Sequence, residues 1–245
     1  MNFTEKVLKN INVKSVVHIG AHLGQEVLFY KQHGVDEIYL FEPQKQFYNE
    51  LLKKFNSDKS IKIHNFAIGS KKQLSKIYIS SNDGASSSLL PPKEHLNFYP
   101  DIVFSNEEIV KVEKLSNFKI SNFDLMVVDT QGYELDVLKG SGDFLEKFNY
   151  LILEINLREL YQDNPTVTDL DEYLSKYGFL RVKTTIHSKK YFGDALYAKA
   201  SKYNRLQVAL LKIKSDIFVS NFCIFLINLI HLDLWKDKLN SLKKS

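Results

Sequence analysis

The sequence predicts an α/β fold: a doubly wound, mostly parallel sheet that ends in an antiparallel hairpin, followed by a helical C-terminal tail. Three observations carry this. Apolar runs at 15–20, 37–42 and 61–68 alternate with segments whose apolar residues recur at helical spacing, which is the βαβαβ order of a parallel sheet. Two further buried-looking strands, 124–129 and 150–155, each end in or beside a carboxylate. The runs 179–186 and 195–199, joined by residues 187–194, read as a hairpin, so one strand opposes the rest.

Residues 3–12 read as a short amphipathic helix packed on the sheet edge. Strand 15–20 then turns through Gly20 and Gly24 into a helix at about 25–33 that stops at Gly34. After strand 37–42, Pro43 suits the first turn of a helix over 44–56, which lines up Phe47, Leu51, Leu52 and Phe55. Residues 61–68 form a strand before Gly69, and 73–79 alternate as another. The polar stretch 80–88 has no periodicity and reads either as a flexible surface turn or as a loop that closes over a ligand, and 89–108, with Pro91, Pro92 and Pro100, is a long irregular insert of the kind that often forms a substrate lid. Ile109–Val112 is a short strand. Beyond strand 124–129, Leu135, Val137 and Leu138 mark a helix stopped by Gly140, and 169–177 is a helix capped by Gly178. No internal repeat is visible. The body reads as one domain over 1–201, with 202–245 as an extension.

Composition narrows the class. Hydrophobic content of 44% and charged content of 25% are ordinary for a globular chain. A single cysteine, Cys223, forms no intrachain disulfide and fits a reducing compartment, and the N-terminus does not read as a secretory signal, so a cytoplasmic location is expected. The net charge of +4 is uneven: from Lys202 onward there are eight Lys/Arg and three Asp, leaving the other 201 residues with 25 basic and 26 acidic groups. The near-neutral body argues against a nucleic-acid partner.

The first turn and the second strand point to a nucleoside-containing ligand. Glycines there let backbone approach a ligand, the helix beyond offers free N–H groups to an anion, and Glu42, some 20 residues on, is placed to hold ribose hydroxyls. A dinucleotide turn needs G-x-G-x-x-G, whereas Ala21 and His22 replace the middle glycine, which favours a smaller anion such as a carboxylate. His18 and His22 span a strand and a turn, with no third ligand near in sequence, so no metal is expected.

With His18–Gly24, Phe41-Glu42-Pro43, Asn65–Gly69, the serine-rich loop 84–88 and above all Asp129–Gly140 quoted together, the chain resembles the FkbM-type family of S-adenosylmethionine-dependent methyltransferases over about residues 14–200. The resemblance implies a Rossmann-like class I methyltransferase sheet of seven strands, S-adenosylmethionine as cofactor, and methyl transfer to a hydroxyl of a sugar or secondary metabolite, as in glycan or surface-polysaccharide synthesis. It implies that Gly20, Ala21, His22 and Gly24 wrap the methionine end, that Glu42 holds the ribose, and that Ala67 and Ile68 border the adenine. Asp129 and the turn after it would face the sulfonium and the acceptor, and His18, Pro43, Ser86 and Gln131 complete the cofactor set. Two departures stand out: His18 occupies a position that is acidic in many methyltransferases, and Gln131 one that is often glutamate, so both lower the negative charge near the sulfonium.

An alcohol acceptor must lose its proton, and the candidate bases are Asp129, Glu134, Glu154 and His187. Two other readings stay open at this point: a nicotinamide-dependent oxidoreductase, and a non-catalytic nucleoside-binding or membrane-tethered module. In the tail, 203–214 carries Leu206, Leu210 and Ile213 on one face, and the apolar run 217–234 is interrupted by Ser220, Asn221, Asn228, His231 and Asp233. Trp235 and the lysines at 236, 238, 243 and 244 suit an interfacial helix, but packing on the body or pairing with a second copy is the favoured role for 203–245.

Overall fold

The computed structural model describes residues 2–187, 191–216 and 218. The chain divides after Lys202. In the first unit, helix α1 (Phe3–Leu8) precedes strand β1 (Ser15–Ile19), then α2 (Val27–Gln32), β2 (Glu37–Phe41), α3 (Lys45–Phe55) and β3 (Ile61–His64). After β4 (Ala67–Ile68), β5 (Gln73–Ser80), α4 (His95–Phe98) and β6 (Phe104–Glu113) come β7 (Leu125–Val128), α5 (Glu134–Ser141), β8 (Tyr150–Asn156), α6 (Val167–Ser175), β9 (Phe179–Ile186) and β10 (Phe192–Lys199).

Seven strands form the main sheet in the order β3-β2-β1-β7-β8-β10-β9. All neighbours pair in parallel except β10, which runs antiparallel to both β8 and β9. The central strands are buried at nearly every position because both faces are covered: Ile38, Tyr39, Leu40, Phe41, Leu125 and Met126 are fully buried. On one face Val16, Leu40, Val127 and Ile152 pack with Phe3, Val7, Tyr30 and Leu51 from α1, α2 and α3. Residues between them alternate to the other face, and Val137, Leu138, Leu170 and Leu174 of α5 and α6 are buried in turn.

Several expectations change. The run 61–68 is two strands: β3 stays in the main sheet, while β4 joins β6 and β5 in a separate three-stranded sheet, with Asn65 at the break bonding the Glu42 and Pro43 carbonyls through its Nδ2. Strand β6 starts at Phe104, five residues before the expected Ile109, because it pairs along the whole of β5. Pro43 precedes the N-cap Gln44 of α3 and so lies outside the helix. Gly140 does not stop α5. The helix runs through it to Ser141, and a Cβ at Gly140 would lie 2.1 Å from the Gly69 carbonyl oxygen, so glycine there allows the helix to touch the backbone just after β4. The hairpin connection is shorter than 187–194, since β10 begins at Phe192.

In the second unit, residues 205–216 are helical, and Asn204 and Gln207 exchange backbone-to-side-chain bonds at its start. The expected apolar segment 217–234 and the basic end beyond it lie, but for Phe218, outside the described residues. Among the described residues no helix is long and apolar enough to cross a membrane.

Candidate active site

A cavity of about 390 Å³ opens at the carboxyl ends of β1, β2 and β7, where ligands bind in sheets of this kind. His18, Gly20, Ala21, His22, Glu42, Pro43, Ala67, Ile68, Asp129, Gln131, Glu154 and His187 all line it, so most of the residues singled out in the sequence converge.

The first turn is built differently from the expected anion cradle. Gly20 and Ala21 both donate their N–H to the Phe41 carbonyl, at 3.0 and 3.1 Å, and Gly24 donates to Ala21. Helix α2 starts only at Val27, and Gln25 and the N-cap Glu26 ahead of it line the cavity. Gly20 sits at φ +86, and a Cβ there would lie 1.8 Å from the Asp129 carbonyl oxygen. Its glycine therefore serves the contact of β1 with β7. Gly24 does not line the cavity either; it lies beneath α3, with Leu51 and Phe55 against it.

Glu42 is 3% exposed, and its carboxylate is held by two backbone donors, His22 N–H at 2.9 Å and Gln44 N–H at 2.8 Å. Each oxygen keeps a second lone pair for a ligand. Burial pushes its pKa up to about 7, against the pull of those two bonds. His22 Nε2–H donates to the Asp83 carbonyl at 2.8 Å while Nδ1 accepts from Gln25, which pins the polar loop beside the turn. Gly84, Ala85 and Ser87 of that loop line the cavity. Ser86 does not: it borders a second, smaller cavity. The apolar wall includes Phe66, Ala67 and Ile68 of the Asn65–Gly69 stretch together with Ile77 and Leu89, which no motif marked as site residues. Asn2, Phe3 and Thr4 also reach the cavity, so α1 does more than pack on the sheet.

The other end is acidic. Gln131, in the left-handed region at φ 54, donates through Nε2 to Asp129 at 2.7 Å and to Glu154 at 3.0 Å. Tyr161 Oη lies 3.1 Å from Gln131 Oε1 and 2.9 Å from the Ser86 carbonyl. Asp129 opens onto the cavity; desolvation by the surrounding walls raises its pKa against the pull of the Gln131 bond. Burial, then the neighbouring Asp129, Glu134 and Asp194 charges, raise Glu154 well above the carboxylate range. Asp194, which the sequence reading missed, sits opposite Glu154 across β8 and β10 and is raised by burial to about 6. His187 Nε2 meets Asp194 at 3.0 Å near the exposed rim.

Two candidates take other roles. Glu134 lies outside the cavity and is fully buried; its Oε1 accepts Thr130 N–H, Thr130 Oγ1–H and Gly132 N–H, so it shapes the turn after β7. His18 is held neutral, since burial lowers its pKa to about 4, and its Nδ1 takes a bond from the buried Tyr30 hydroxyl at 3.0 Å.

The strand order, the reversal at β10 and a cavity over the carboxyl ends of the central strands define a doubly wound, nucleotide-cofactor type of α/β protein. Comparison with known proteins narrows this. Residues 18–181 match the methyltransferase FkbM domain, and the chain belongs to that family. The chain is similar to the 2-O-methyltransferase NoeI of Sinorhizobium fredii (strain NBRC 101917 / NGR234), at 23% identity over 158 residues, covering 60% of this chain and 65% of NoeI. The solved structure of methyltransferase FkbM from Methylobacillus flagellatus KT overlays with a TM-score of 0.55 at 16% identity, covering 81% of this chain and 46% of that one. The matches thus span less than two thirds of either relative's length.

Proposed function

We propose that this methyltransferase uses S-adenosylmethionine to methylate a hydroxyl oxygen of a sugar or secondary metabolite. One observation carries the cofactor: the cavity has a carboxylate with free lone pairs at one end, Glu42, and a carboxylate group at the other, Asp129, Glu154 and Asp194, with an apolar wall between. That polarity suits a ribose at the first end, an adenine against Ala67 and Ile68, and a cationic sulfur at the second. S-adenosylmethionine supplies an electrophilic methyl group on that sulfur. The similarity to NoeI, a 2-O-methyltransferase, supports oxygen as the receiving atom.

Glu154 is the favoured base. It borders both cavities, and the walls around it keep its carboxylate basic enough to take a hydroxyl proton. Gln131 fixes its orientation from one side. Asp129 lines only the larger cavity, and so belongs to the cofactor's side.

The test is calorimetric titration with S-adenosylmethionine and S-adenosylhomocysteine. Binding of both is expected, weakened roughly 10- to 100-fold in Glu42→Ala, which removes the ribose acceptor and leaves two buried N–H groups unmet. A folded protein that binds neither ligand overturns the reading.

A further inference from the structure

The smaller cavity, about 190 Å³, meets the larger one at Gln131 and Glu154, which line both. Its other walls come from distant parts of the chain: Asn82 and Ser86 from the polar loop, His95, Tyr99 and Ile102 from α4 and the residues after it, Asn156 from the end of β8, and Tyr161 and Phe192. Two buried polar atoms among these residues have no protein partner, His95 Nδ1 and Asn156 Nδ2. His95 is 4% exposed and Asn156 1%. Buried polar groups are normally paired, and two unpaired ones in the wall of a single small cavity mark a place where a ligand supplies the partners.

Neither side chain is loosely placed. His95 is wedged among the rings of Tyr99, Phe104 and Tyr161, at centroid distances of 5.0, 5.3 and 5.4 Å. Asn156 is the last residue of β8 and pairs with Phe192 of β10. Burial lowers the His95 pKa, so the neutral ring offers one donor and one acceptor nitrogen, while Asn156 Nδ2 offers donors only. Asn82 is already engaged with Ser86 through both ends of its amide, so His95 and Asn156 are the groups left to read a ligand.

We propose that this cavity is the acceptor subsite and that it takes one polyhydroxylated ring, a single sugar unit, selected by His95 and Asn156; this rests on the methyl-transfer reading above. A sugar ring matches the walls on both counts. Its C–H faces pack against Tyr99, Tyr161 and Phe192, and its several hydroxyls each donate and accept, so they meet His95 and Asn156 together. A phenol or catechol carries its hydroxyls at one edge of a flat ring and in its plane, and an alkyl chain carries none, so each leaves one of two separated buried polar atoms unmet. The cavity has about half the volume of the larger one, which suits a single ring with the rest of the acceptor projecting outward. Glu154 lies where the two cavities join, so a hydroxyl that reaches it from the ring also faces the cofactor's side.

The test is saturation-transfer NMR on the full chain saturated with S-adenosylhomocysteine, using methyl α-galactoside, methyl α-fucoside and catechol as probes. Saturation of ring protons is expected for at least one glycoside and not for catechol. Asn156→Leu and His95→Phe should each cut that signal at least about fivefold, the scale of one lost hydrogen bond. Both variants should keep S-adenosylhomocysteine affinity within about twofold, since neither residue lines the cofactor cavity. Where Asn156→Leu does not fold, Asn156→Ala removes the donor without adding bulk, and should lose the signal likewise. A protein that binds S-adenosylhomocysteine but gives no glycoside signal overturns the proposal, as does a signal that survives all variants or one that favours catechol. Failure of the methyl-transfer reading shows separately, as loss of S-adenosylhomocysteine binding in the unaltered chain.

Discussion

The two ends of the site are made in opposite ways. At the ends of β1 and β2 the polar groups satisfy one another: Gly20 and Ala21 bond Phe41, and His22 and Gln44 bond Glu42. These residues lie within 25 positions of each other, and the geometry is complete in the protein's own bonds. At the ends of β8 and β10 the groups come from far apart in the chain and are left in tension. Glu154 faces Asp194, both with raised pKa, and His95 and Asn156 keep buried atoms without partners. A finished end is suited to a ligand that does not vary, and an unfinished one to a ligand whose own groups complete it. Of these four, only His95 and Asn156 belong to the smaller cavity alone, whereas Asp194 lines the larger one and Glu154 both, so the proposed division between cofactor and acceptor runs through Glu154.

The largest effect should come from breaking the finished end at Gly20. Gly20→Ala places a Cβ 1.8 Å from the Asp129 carbonyl oxygen in a backbone at φ +86. Both the contact between β1 and β7 and the left-handed conformation oppose it, and a loss of roughly 3 kcal/mol or more is expected in urea unfolding. Gly178→Ala is the control: its φ is +74, but nothing lies within 4 Å of the added Cβ. There only conformational strain remains, about 1 kcal/mol. Equal losses at the two glycines would show that strain alone, and not the approach of β1 to β7, requires Gly20.

The unfinished end should break without loss of fold. In Glu154→Gln the amide oxygen can still accept from Gln131 Nε2, and no buried charge is created. Turnover should fall about 10²- to 10⁴-fold, the span usual for losing a general base, while S-adenosylhomocysteine affinity changes less than about threefold. If turnover survives, the proton leaves by another route, and the His187–Asp194 pair at 3.0 Å is the next group to remove.

This asymmetry also decides what could be read from the sequence. The strand-turn-helix stretch at 15–33, Glu42 after its apolar run and Asp129 after another are local patterns, and the structure gathers them in one cavity. Glycines were misread where their reason is not local. Gly140 looks like a helix stop, but it meets Gly69, 71 positions away, and Gly24 looks like part of a ligand turn, but it lies under α3. The split of 61–68 into β3 and β4 depends on β6, some 40 residues later, offering a second sheet to pair with. Glu134 has the composition of a base candidate, and only its three bonds to the turn after β7 reveal a structural carboxylate. Asp194 is one acid in a polar connection by sequence, and becomes part of the site through its register with Glu154. His95 and Asn156 carry no motif; they are notable only because nothing in the fold meets them.

The smallest predicted effect separates the two ends by charge. Burial raises Glu42 to about 7 and Asp194 to about 6, so below those values these two groups are neutral. A bound cation favours the ionised carboxylate, so S-adenosylmethionine should bind more tightly as pH rises through this range and should release protons on binding. S-adenosylhomocysteine has the same amino, carboxyl and ribose groups but a neutral sulfur, so the difference between the two profiles isolates the sulfonium. That difference is expected to grow about tenfold from pH 5.5 to 8, the scale of one charge acting through a partly buried site. Calorimetry in two buffers of unlike ionisation enthalpy gives both the affinity and the proton count. Asp194→Asn should flatten the difference, because Asp194 lies at the acidic end. Glu42→Gln should weaken both ligands alike and leave the difference standing, because Glu42 serves the part they share. If instead Glu42→Gln abolishes the difference and Asp194→Asn does not, the sulfur lies at the β2 end, and the two ends of the cavity have been assigned the wrong way round.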